Sequence, residues 1–140
     1  MIATKMLPAL LLGITLGYFA LTVPHSPGSK IKEDLIGLTR GMSLSLGSRR
    51  RLSQVLIVNG EITLTQDKRL IYLCTSGPDG QPFDINTVRV AAIHELAHVI
   101  CEEEGHGPSF QSTEEELLSR AERMGYITSR RVDPSYPCRL

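Results

Sequence analysis

Residues 86–100 read NTVRVAAIHELAHVI. From Thr87 the apolar positions Val88, Ala91, Ala92, Leu96, Val99 and Ile100 recur with a helical period. Asp84 or Asn86 can cap the start of this helix, and Gly105 suits its C-terminal stop, so it should end between Glu103 and Gly105. Within it, His94-Glu95-Leu96-Ala97-His98 is an H-E-x-x-H pattern. Positions i and i+4 share one helix face, so the imidazoles of His94 and His98 can converge on one metal ion. Glu95, next to the first ligand, can reach a water held there. These are the parts that zinc-assisted hydrolysis needs.

A catalytic zinc takes three protein ligands and keeps one position for water. Of the four histidines in the chain, three fall in this region, and His106 is the third. It lies beyond the helix, between Gly105 and Gly107, and those glycines permit the sharp turn that would fold it back over the metal. Glu115, Glu116 and Glu122 are alternatives for the third ligand, less favoured than the glycine-flanked histidine. In this scheme Zn2+ is the cofactor and Glu95 the general base. Glu95 takes a proton from the metal-activated water and delivers it to the leaving amine of a protein or peptide substrate. Tyr126 is a weak candidate for steadying the oxyanion, and a packed surface tyrosine is the plainer reading.

Downstream, Pro108 opens a final helix running to Met124, with Phe110, Leu117, Ala121 and Met124 on one face. Gly125 closes it, and an extended tail follows. Upstream, Gln54–Thr65 contains two β-rich runs around Asn59-Gly60, a strong hairpin signal, and Arg69–Thr75 is a third strand candidate. A three-stranded antiparallel sheet is expected. Ile31, Leu35, Leu38 and Met42 have a loosely helical spacing, and Arg49-Arg50-Arg51 reads as a solvated basic turn.

Met6–Val23 holds no charged residue and as a helix would span about 27 Å, which predicts a single transmembrane anchor. A cleaved signal peptide, giving a secreted protein, is the rival reading. The cations downstream, from Lys30 to Arg51, place the C-terminal domain in the cytosol. The expected organisation is a tail (1–5), the anchor (6–23), a linker (24–30) and a domain (31–140). At 140 residues there is room for one small domain. The formal net charge is zero and there is no tryptophan, so nucleic acid is not indicated as a partner. Three widely spaced cysteines, Cys74, Cys101 and Cys138, make a poor disulfide framework and read as free thiols. Nothing here sets the oligomeric state.

The run NTVRVAAIHELAHVICEEEGHGPSF, with the later Tyr136-Pro137-Cys138, resembles the WLM and SprT-like zinc metallopeptidases. It is most similar to the short WLM-type proteins of large DNA viruses. The resemblance covers about Leu70 to Cys138. It implies an α+β, zincin-like fold, proteolytic activity, zinc held by His94, His98 and His106, and Glu95 as catalytic base. The interval from His98 to His106 is longer than in cellular WLM proteases. Two other readings stand beside the enzyme. One is an inactive, zinc-stabilised interaction module at a membrane. The other is a DNA-associated protease like the cellular relatives, for which the short arginine run offers little support.

Overall fold

The computed structural model describes residues 27–137. In chain order they form helices α1 (Pro27–Leu38) and α2 (Leu46–Gln54), strands β1 (Leu56–Asn59), β2 (Leu64–Gln66) and β3 (Leu70–Leu73), and helices α3 (Ile85–Ile100) and α4 (Pro108–Arg123). The motif helix α3 is the axis of the fold. It packs against α1, α2, α4, β2 and β3, and 12 of its 16 residues are buried. Ala91, Ala92 and Ala97 are fully buried on it, and their small side chains let its neighbours close in from several sides. Asp84 is the cap, its Oδ2 accepting from the Thr87 N–H at 3.0 Å. Asn86, the other candidate, lies inside the helix. Its side chain accepts from Thr128 N–H at 2.7 Å and donates to Ser129 O at 2.8 Å, tying the chain after α4 to the start of α3.

α3 stops at Ile100, earlier than its sequence suggests, because its last carbonyls are taken from outside. Cys101 turns into an extended conformation. Arg51 donates to Val99 O at 2.7 Å and Ile100 O at 3.1 Å, and Ser48 Oγ to Ile100 O at 2.5 Å. The arginine run is therefore helical rather than a turn: Arg49 and Arg50 are exposed, as expected, and Arg51 is not. The run lies in α2, where Arg51 sets a cation at the negative end of the α3 dipole. In α4, Phe110, Leu117 and Ala121 are buried as expected, whereas Met124 is 64% exposed and lies outside the core.

The sheet corrects the antiparallel expectation. Its order is β1-β3-β2, with β1 parallel and β2 antiparallel to β3. Asn59-Gly60 does not close a hairpin, because the chain passes across the end of β3 to reach its other side. Gly60 serves that crossing: a Cβ there would sit 3.0 Å from the Tyr72 Cβ. The reversal falls instead at Asp67-Lys68, both at φ +52°, with Arg69 N–H bonded to Gln66 O at 3.1 Å. Two left-handed residues match a turn whose twist suits the strands it joins.

A second correction concerns the membrane. Among the described residues, no helix is long and apolar enough to cross a bilayer. The expected anchor, 6–23, lies outside the described residues, and the single-pass localisation built on it has no support in the structure. Pro27–Lys30, placed in the linker by the sequence, already belong to α1. Cys74 and Cys101 are buried free thiols, and Cys138 lies outside the described residues.

The C-terminal tail turns inward rather than running extended. The Tyr136 ring is buried, and its hydroxyl donates to Cys74 O at 2.7 Å and shares a 2.8 Å hydrogen bond with Thr63 Oγ1. Pro137 O accepts from Thr63 N–H at 2.9 Å. Replacing Tyr136 by Phe strands buried polar groups on Cys74 and Thr63, and should lower unfolding stability by about 1–3 kcal/mol. Urea denaturation of the two proteins measures the difference.

Candidate metal centre

His94 and His98 stand one turn apart on α3, and the loop after Cys101 brings His106 over them. Nε2 of His106 lies 3.1 Å from Nε2 of His94 and 3.1 Å from Nε2 of His98. The three ligand atoms all fall within 4.8 Å of one another. A tetrahedral zinc with bonds of 2.0–2.1 Å separates its nitrogen ligands by about 3.3 Å. The spacing therefore fits zinc with little adjustment.

Proton positions make the same point. Nδ1 of His94 is 2.7 Å from the Glu114 carboxylate. A carboxylate only accepts, so the His94 proton sits on Nδ1, and its Nε2 presents a lone pair to the centre. A proton on His106 can bridge one of its two short contacts and not both, whereas a cation among the three nitrogens satisfies all of them. Burial, followed by the neighbouring His94 and His106 imidazoles, pushes His98 down to about 4, which keeps it in the neutral, ligating form. The Glu114 contact is of the kind that would orient the imidazole if a metal were bound at its Nε2.

Phe110 supports the cluster from beneath. Its ring is buried at the start of α4, with centroids 5.1 Å from His94, 4.4 Å from His98 and 4.7 Å from His106. The fold thus grades the three ligands: His94 is buried, His98 half-buried and His106 exposed.

Glu95 is 3% exposed. Thr65 Oγ1, on β2, lies 2.6 Å from its Oε2 and 3.1 Å from its backbone carbonyl. Burial raises the Glu95 carboxyl above the ordinary carboxylate range, against the lowering effects of Thr65 and the histidines. Glu95 and His98 line a cleft of about 400 Å³, whose other wall is Ile62, Thr63, Leu64 and Thr65. The four residues singled out by the motif therefore share one site, with the acid at its cleft face.

The other candidates fall elsewhere. Glu115 and Glu122 pair with Arg130 at 2.6 and 2.8 Å, and Glu116 pairs with Arg120 at 3.0 Å. All three are committed to the outer face of α4. Tyr126 lies beneath the Arg89 guanidinium, 4.6 Å from its ring centroid, and lines a separate cleft beside α1 with Lys30 and Asp34. Burial pushes its hydroxyl up to about 12. It takes no part in this site. The residues that the sequence did not expose are Thr65 and Glu114. Thr65 carries no local signal, being 30 positions from its partner. Glu114 reads from sequence only as one of three acids near the start of the final helix, where the dipole favours them.

No family model matches this chain, and no solved structure matches it. It is similar to two viral proteins. Over 88 residues it is 32% identical to Uncharacterized protein 136R of Invertebrate iridescent virus 6, covering 61% of this chain and 49% of that protein. Over 85 residues it is 36% identical to Uncharacterized protein 042R of Invertebrate iridescent virus 3, covering 60% of this chain and 54% of that protein. The chain spans about half the length of the curated relatives it matches.

Proposed function

We propose that this protein is a zinc-dependent metallopeptidase with His94, His98 and His106 as ligands and Glu95 as general base. The observation that carries the reading is the convergence of three imidazole nitrogens at zinc spacing beside a buried glutamate that opens on a cleft. A bound zinc ion supplies Lewis acidity and makes water acidic enough to act as a nucleophile near neutral pH.

The chain's own groups do the rest. Glu95 would accept a proton from the attacking water and pass it to the departing amine, and the raised proton affinity that burial gives it favours the first of these transfers. Thr65 fixes the carboxylate so that one oxygen is held and the other is left for the proton. The wall of the cleft is β2, an edge strand. Strand alternation turns the N–H and C=O of Thr65 to the same side as those of Thr63. An extended peptide can add there by main-chain hydrogen bonds, which favours unfolded or loop segments as substrates. Pro137 already occupies the Thr63 N–H, so the open length of edge is short. Of the short arginine run, Arg51 is engaged at the end of α3, which leaves only Arg49 and Arg50 exposed and gives a DNA-associated role little support.

Three outcomes test the reading. Glu95→Gln should retain stoichiometric zinc by metal analysis and lose cleavage of a peptide library. Full activity in that variant overturns the mechanism, while zinc without turnover in the wild type favours a metal-stabilised binding module. His106→Ala should release zinc during dialysis that leaves the wild type loaded, and unchanged retention would assign the third ligand elsewhere. Thr65→Val should keep zinc and lower kcat by about tenfold, the size of one hydrogen bond to a charged group; a change confined to KM would remove Thr65 from the chemistry.

A further inference from the structure

Apart from the His106 ring, which packs on Phe110, the loop that carries it, residues 102–106, is exposed, and Gly105 sits at φ +77°. Cys101 anchors its start by burial, and Gln111 Nε2 donates to His106 O at 3.0 Å near its end. Between them the Glu102 carboxylate accepts from Ser45 and Ser48 and pairs with Arg51 at 3.2 Å, while the backbone carbonyls are held by Lys68. Its ammonium donates to Cys101 O at 2.6 Å, Glu102 O at 3.3 Å and Glu103 O at 2.7 Å. An ammonium has three protons, and here three consecutive carbonyls receive them. The Glu104 carboxylate lies 3.7 Å away, and the Lys68 side chain is only 16% exposed.

Lys68 holds this position from a costly backbone. It sits at φ +52° in a turn where glycine or asparagine is the ordinary choice. A side chain kept in a left-handed conformation against local preference marks a place where the side chain is needed. The same hairpin presents Thr65 to Glu95, so one element reaches both the base and the ligand loop.

We propose that Lys68 is a positioning residue for the metal centre: its three hydrogen bonds to the carbonyls of residues 101–103 set the reach of His106. This rests on the reading of the three histidines as metal ligands. The proposal predicts that Lys68 acts through His106 and on no other ligand.

The test uses the full chain, with zinc affinity measured against a chromophoric chelator and the visible spectrum of the cobalt-loaded protein. Lys68→Met should weaken zinc by about 10- to 100-fold, as loss of other outer partners of metal ligands does. Its cobalt spectrum should move toward that of His106→Ala. Lys68→Gln, with two donors left, should fall between Met and wild type, and it carries the test if Lys68→Met fails to fold. In the His106→Ala background, Lys68→Met should weaken zinc no further, because the two changes remove one interaction. Equal losses in both backgrounds would make Lys68 a general stabiliser and overturn the proposal. So would wild-type affinity and cobalt spectrum in Lys68→Met and Lys68→Gln. A wild-type protein that binds no zinc defeats the metal reading itself, and this proposal with it.

Discussion

His94 and Glu95 are consecutive residues on the most enclosed helix of the fold, each 3% exposed. An imidazole and a carboxyl group kept from water need polar partners, or the helix cannot stay where it is. Two of the neighbouring elements supply them. α4 brings Glu114 to the Nδ1 of His94, and β2 brings Thr65 to the carboxylate of Glu95. The remaining nitrogen of His94 faces two further imidazoles, an arrangement that a cation completes. The packing of α4 and of the sheet against α3 is thus tied to the polarity of two side chains, beyond the apolar surface it buries.

Much of this was legible in the sequence where the signal was local. The H-E-x-x-H spacing, the period of α3, Pro108 at the start of α4 and the glycines around His106 each point to a conformation that their own neighbours determine. What escaped depends on partners distant along the chain. Asn59-Gly60 is a turn former by any local rule, yet β1 pairs in parallel with β3, so the chain must cross rather than reverse. The glycine is used for its lack of a Cβ beside Tyr72. Arg51 read as one of three surface cations, because the carbonyls it satisfies lie 48 and 49 positions away. The early end of α3 follows from the same contacts.

The β2–β3 hairpin is small, but its placement is consequential. Its strand closes the cleft opposite Glu95, and its turn holds the carbonyls that lead to His106. A shift of this hairpin would disturb the base and the third ligand together. Tyr136 restrains it from the other side through Thr63, so the inward tail, far from the metal in sequence, helps set the width of the cleft.

The three imidazoles are unequal in how firmly they are held. His94 and His98 ride on a rigid helix over the Phe110 ring, and His94 is further fixed by Glu114. His106 sits on an exposed loop held by hydrogen bonds rather than by packing. In the proposed site, two imidazoles preset on the helix would receive a metal ion and the loop histidine would complete its shell. The cleft along β2 is bounded by Glu95 and His98. In the proposed reading, the loop that would bring the third ligand and the wall that would hold a substrate thus rest on different contacts, Lys68 and Gln111 for the one and Thr63 and Tyr136 for the other.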